Sequence, residues 1–154
     1  MLEPSNLLGV EGLTPDGITH FPYKQGKCLT WDYTCVDTLC DSYVRDTAKE
    51  AEKAAKLAET KKHNKHRDLK DNYLFTPIAI ETFGSFGPES LRFIKEVGKK
   101  IQENTGIKWA TSYLIQSLSM SVQRGNAASI MGTVGESHKL EEIYELVTPL
   151  KSDI

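Results

Sequence analysis

Residues 45–70 contain neither glycine nor proline and are dominated by Ala, Lys and Glu, the residues that lose least on entering a helix. Runs of a different kind bracket this stretch. From Ile18 to Pro22 and from Cys28 to Val36 the chain favours β-branched and aromatic residues, with a plausible reversal at Tyr23-Lys24-Gln25-Gly26-Lys27, which predicts a β-hairpin. Residues 73–82 read as a third strand, where Pro77 favours an edge or a bulge. Pro88 is placed for a first helical turn. Leu91, Ile94, Val97 and Ile101 follow at helical spacing up to Gly106. A further helix is expected from Trp109 to Arg124 with Gly125 as its stop, and a last one over residues 137–147 with Ser137 as N-cap. The order strand–strand–helix–strand–helix–helix indicates an α/β or α+β sandwich, a mixed sheet with flanking helices.

With 154 residues the chain is one domain. Residues 1–14 read as an irregular leader, 15–134 as the folded domain and 135–154 as an acidic helix or tail. Acids and bases nearly balance, 21 against 19, which excludes a polycation or an acidic solvating tail as a description of the whole. The basic charge is nevertheless gathered on residues 47–70, where eight Lys and Arg stand against four acids. No apolar run reaches the roughly 18 residues of a membrane span, and the N-terminus has neither the basic start nor the apolar stretch of a signal peptide. Three loosely spaced cysteines favour a reducing, intracellular setting. Cys35, Cys40, His63 and His66 match zinc-site intervals only loosely, so half-buried cysteines are the simpler reading.

Two constellations could carry chemistry. If the hairpin turns near residues 24–26, Asp16 and Asp32 face each other, with Cβ atoms about 4.5–5.5 Å apart. Two carboxylates so close need a proton or a cation between them. The competing reading is a Thr-Pro-Asp-Gly turn for Asp16 and a solvent-facing Asp32. The second constellation is the cluster 61–66 (Lys-Lys-His-Asn-Lys-His), where Glu59, Lys62 and Lys65 or His66 recur on one helical face. Such a face suits a nucleic-acid backbone; the commoner fate of such a run is a solvated flank. Its narrow stripe of Ala51, Ala54, Ala55 and Ala58 predicts a rim helix with its charges pointing outward. Arg124-Gly125-Asn126 reads as a C-cap.

Several short motifs occur in a suggestive order: Pro15-Asp16-Gly17, Leu29-Thr30-Trp31-Asp32, Val36-Asp37-Thr38-Leu39, Ser42-Tyr43-Val44, Ala58-Glu59-x2-Lys62-x2-Lys65, Ile80-Glu81-Thr82-Phe83-Gly84 and Gln123-Arg124-Gly125-Asn126-Ala127-Ala128. Together, over residues 12–134, they resemble the segment that trails reverse-transcriptase-like open reading frames in invertebrate genomes. That segment is similar in turn to the restriction-like endonuclease region of site-specific non-LTR retrotransposons.

The resemblance implies a PD-(D/E)XK-type fold and hydrolysis of DNA phosphodiesters with Mg²⁺ or Mn²⁺. By the same resemblance Asp16 and Asp32 are the metal ligands and Lys62 or Lys65 the catalytic lysine. Lys61, Lys62, Lys65 and Arg67 would contact DNA. The lysine usually found two residues after the second acid is Thr34 here, and the fold's usual N-terminal helix has little room ahead of Asp16. A reverse transcriptase module upstream and a nuclear location are further implications. The alternative is a non-catalytic nucleic-acid- or partner-binding remnant of the same fold.

Overall fold

The hairpin reverses where its backbone can. In this computed structural model, which describes residues 14–133, Gln25 and Gly26 both take positive φ (52° and 71°), the pairing of a type I′ turn. The amide of Lys27 bonds the carbonyl of Lys24 across it (2.9 Å). From Lys24 back to Thr19 the first arm takes five steps, while Lys27 reaches Leu29 in two, yet Thr19 N–H meets the Leu29 carbonyl. The surplus bulges outward at His20, Phe21 and Pro22, leaving Phe21 exposed. Beyond the bulge β1 (Gly17–Ile18) pairs antiparallel with β2 (Leu29–Val36), Gly17 opposite Trp31. A Cβ at residue 17 would fall inside the Trp31 indole, so glycine is what lets that ring lie across the strand.

A third strand, β3 (Leu74–Glu81), lies parallel to β2, with Asp32 opposite Pro77 and Val36 opposite Glu81. The sheet order is β1-β2-β3. Parallel neighbours need a crossover. It is supplied by α1 (Val44–Thr47), α2 (Lys53–Lys65) and a 3₁₀ turn over Arg67–Asp71. The outer edge of β3 carries Pro77, which has no N–H to leave unpaired there. Its neighbours on that edge are satisfied by the returning chain: Gly87 N–H bonds the Ala79 carbonyl and Glu81 N–H the Ser85 carbonyl. The chain then enters α3 (Pro88–Thr105), ends it at Gly106 in the left-handed region (φ 73°), and continues into α4 (Ala110–Thr133).

The architecture is thus a three-stranded mixed sheet with helices on both faces. On one face Ala54, Ala55 and Ala58 of α2 pack against Val36 and Ala79, with Tyr43 at the margin. On the other, Ile80, Phe86 and Ile94 meet Leu91, Leu114, Ile115 and Val122. Helices α3 and α4 touch closely at Gly98, where a Cβ would lie 2.7 Å from the Thr111 Cα.

Two helical expectations change. The single helix expected over 45–70 is broken before Lys53, where Glu52 adopts a left-handed φ of 67°. The cause is tertiary: the buried Glu81 carboxylate accepts the N–H groups of Ala54 (3.0 Å) and Ala55 (3.3 Å). A carboxylate at a helix N-terminus satisfies orphan donors and complements the dipole, which fixes where α2 starts. Gly125 is no stop either, and Arg124-Gly125-Asn126 lies inside α4 instead of capping it. Gln123 and Asn126, on either side, both donate to the Thr82 carbonyl. That anchorage outweighs the roughly 1 kcal/mol a helical glycine costs. The expected leader, the helix over 137–147 and the acidic tail lie outside the described residues.

The hairpin tip is tied to α3 by Tyr23, whose hydroxyl donates to Glu96 Oε1 (2.7 Å), and by the ion pair of Lys24 with the same oxygen. Burial, then the Glu96 hydrogen bond and charge, push the Tyr23 phenol up to about 12. The folded chain holds this proton more tightly than the unfolded one. The tie is therefore complete below about pH 10 and is lost as pH rises through about 12. Ultraviolet titration should find one tyrosine ionising near 12, and Glu96→Gln should lower its pKa while leaving the part due to burial.

Candidate functional site

Alternation along β2 sends Asp32, Thr34 and Val36 towards α2 and Trp31, Tyr33 and Cys35 towards the opposite face. Asp32 is therefore carried under the helix and is 3% exposed. One of its oxygens, Oδ2, accepts both the Lys62 ammonium (2.8 Å) and His66 Nε2 (2.7 Å). Both ion pairs of Asp32 with described residues fall on this one oxygen. Because a carboxylate oxygen only accepts, Nε2 of His66 carries the proton. The His66 ring lies against Phe75 at 4.8 Å, and its Nδ1 is buried without a partner among the described residues.

Burial by itself drives the Asp32 carboxyl upward. The hydrogen bonds and charges of Lys62 and His66 outweigh it, and the net pKa lies below the ordinary carboxylate value.

The β1–β2 register pairs Gly17 with Trp31 and Ile18 with Thr30, and Asp16 lies one residue before the paired strand begins. Asp16 is exposed, and its Oδ2 accepts the Tyr33 N–H at 2.6 Å. Pro15 beside it has no N–H, so the ladder ends here and the Asp16 carboxylate closes it. Each of the two expected carboxylates already has a structural partner, Asp16 the Tyr33 N–H and Asp32 the pair Lys62 and His66.

The candidate lysines separate. Lys62 reaches Asp32. Lys65 is exposed and lines an open basin of about 390 Å³ with Lys61, Lys62, Thr34 and Tyr43. Lys61 donates to the Tyr43 hydroxyl at 2.6 Å and sits over its ring, 5.1 Å from the centroid. Arg67 is exposed beyond the end of α2, next to Asp68.

The charges of α2 do not all point outward, as its composition suggests. Glu59, Lys62, His63 and His66, spaced three or four apart, are buried or half-buried towards the rest of the fold. Glu59 Oε1 accepts the Ser90 N–H (2.8 Å) and hydroxyl (2.7 Å), while Oε2 accepts the Glu89 N–H (3.2 Å). The carboxylate therefore caps α3. His63 Nε2 meets Glu89 Oε2 at 2.7 Å. His66 is the site residue that sequence reasoning placed on the right face but weighed only as a loosely spaced zinc ligand. Its spacing of four from Lys62 was the available signal.

Among the described residues no three or more His, Cys, Asp or Glu side chains gather to hold a metal ion. No described helix is long and apolar enough to cross a membrane. Comparison with known protein families, with curated proteins and with solved structures yields no match to this chain.

Removing the Asp32 carboxylate strands two donors, of which His66 is fully buried. Asp32→Ala should cost about 3 kcal/mol, whereas Lys62→Met, whose side chain is 22% exposed, should cost about 1 kcal/mol. The contribution of Asp32 is present above its unfolded pKa of about 4 and is lost as pH falls through the lower folded value. Urea unfolding across the acid range should therefore show a shallower loss of stability in Asp32→Asn than in the parent protein.

Proposed function

We propose that the chain is a nuclease-like domain that hydrolyses DNA phosphodiester bonds with a divalent cation, Mg²⁺ or Mn²⁺, held by Asp16 and Asp32. The observation that carries this reading is the Lys62–Asp32 ion pair beside the basin that Lys61 and Lys65 border, with Asp16 next to the end of the strand paired to the one that bears Asp32. Two carboxylates suffice for a hard cation that keeps water and a phosphate oxygen in its shell. The exposed Asp16 and the Oδ1 atom of Asp32 are donors of that kind. When bound, the cation lowers the pKa of a water and neutralises charge on the phosphate.

Lys62 holds Asp32 ionised and offers an ammonium to the phosphate oxygens as charge develops. Lys61 and Lys65 border the basin next to it and take up backbone phosphates, with Arg67 extending the basic edge. The restriction-endonuclease-like form of the fold, a reverse transcriptase module upstream and a nuclear location belong to the same proposal.

A second reading is favoured by His66. A second cation-capable group on the same oxygen of Asp32 suits a carboxylate kept for structure. The chain would then bind nucleic acid through Lys61, Lys65 and Arg67 without cutting it.

Nicking of supercoiled plasmid separates the two. Asp32→Ala is a poor probe because it also unpairs a buried site. Asp16→Asn keeps an acceptor for Tyr33 N–H, and Lys62→Met keeps the length of the side chain. Nicking by the parent protein should need Mg²⁺ or Mn²⁺, stop with EDTA, and fall about 100-fold in both variants with unchanged circular dichroism. Absence of nicking by folded protein at any cation concentration rejects catalysis. DNA binding that weakens steeply with salt and with Lys61→Ala/Lys65→Ala would then establish the binding reading.

A further inference from the structure

The bulge in the first arm of the hairpin is held by one side chain. Thr19 Oγ1 accepts the Leu29 N–H (3.0 Å) and donates to the Phe21 carbonyl (2.8 Å), so a single hydroxyl spans the root of the bulge. Pro22 fixes φ immediately after Phe21, and Tyr23 and Lys24 then tie the tip to Glu96 of α3. Bulges commonly re-aim a side chain. This one turns Phe21 into water, leaving it 80% exposed, more than any other large apolar residue among those described.

The surroundings of Phe21 are basic. Lys24 and Lys100 place their Nζ atoms 5.3 and 5.4 Å from the Tyr23 ring centroid, and the Lys27 ammonium donates to the Lys70 carbonyl (3.1 Å). Lys24 is balanced by Glu96, and Asp71 follows Lys70 in the chain. Exposed Lys65, Arg67 and Lys70 occupy the stretch of chain that leads from the basin beside Asp32 to this tip. Within residues 19–28 Phe21 is the one exposed large apolar side chain.

We propose that Phe21 stacks on an unpaired base of bound DNA, so that the domain takes DNA with a single-stranded segment in preference to continuous duplex. The inference rests on the reading that the chain binds DNA and adds the form of DNA it selects. A protein partner would ask for a wider apolar patch around the ring, because the buried centre of a protein interface is depleted of charge. An aromatic ring set among ammonium groups is instead the arrangement of single-strand binding, in which lysines follow the phosphates and the ring takes a base. In a continuous duplex the face of each base is already covered by its neighbours, and opening a step costs free energy. An unpaired base offers its face without that cost.

The test uses the full chain with EDTA present, so that no strand is cut. Fluorescence anisotropy follows binding to a single-stranded oligodeoxynucleotide and to the duplex of the same sequence. The parent protein should bind the single strand more tightly. Phe21→Ala should weaken that binding about tenfold and leave the duplex affinity and the urea midpoint unchanged, while Phe21→Trp should restore it. The fluorescence of an aminopurine base in the single strand should be quenched by the parent and by Phe21→Trp but not by Phe21→Ala. Lys100→Ala should instead weaken both forms of DNA and reduce the salt dependence.

Equal losses for the two forms of DNA in Phe21→Ala, or no loss for either, overturn the proposal while leaving DNA binding through Lys61 and Lys65 intact. Folded protein that binds neither form rejects the underlying reading and the proposal with it. Self-association abolished by Phe21→Ala, with DNA affinity unchanged, assigns the ring to a second copy and overturns the proposal as well.

Discussion

The fold hangs on a relay of three groups in which one buried serine joins three elements. Ala79 N–H of β3 donates to Ser90 Oγ at the start of α3, and the Ser90 hydroxyl donates to Glu59 of α2. Glu59 also takes the first free amides of α3. Both Glu59 and Ser90 are nearly inaccessible to water, so each unmade bond would cost the full desolvation of its partner. The joint closes the outer edge of β3 while fixing the angle at which the chain leaves the sheet. Close packing at Gly87 belongs to it, since a Cβ there would collide with the Glu59 carboxylate.

The same logic is repeated along α2. Glu81 caps its N-terminus, Glu59 projects from its middle to cap α3, and Asp32 is met near its C-terminus by Lys62 and His66. Three carboxylates lie under a helix whose apolar contacts are mostly alanine. Alanine brings the helix close to the sheet but buries little area. Much of the specificity of this layer therefore comes from charged groups finding particular donors. Asp32 joins the layer and is the proposed ligand at once, so its replacement alters both roles together.

Sequence patterns reached the local features whose causes are local. Pro88 at the head of α3, Gly106 at its end, the Gln25-Gly26 reversal and the strand over 74–81 each follow from backbone chemistry of a few residues. That the segments following Asp16 and preceding Asp32 pair as a hairpin was legible from the strand–turn–strand pattern, while the bulge at His20, Phe21 and Pro22 that sets their register was not. The start of α2 was not legible, because Glu81, some 27 residues away, determines it. The continuation of α4 through Gly125 escaped for the same reason: Thr82 decides it. His66 was placed on the right face, but its role depended on which face of α2 turned inward.

The sequence by itself determined the elements, their order and the gathering of basic charge on one helix, since propensity, glycine and proline act over neighbouring residues. Only the tertiary structure decided which charges of that helix are buried and which lysine reaches Asp32. Those outcomes depend on partners distant in the chain, and the free energy of a buried charge is set by whatever group happens to meet it.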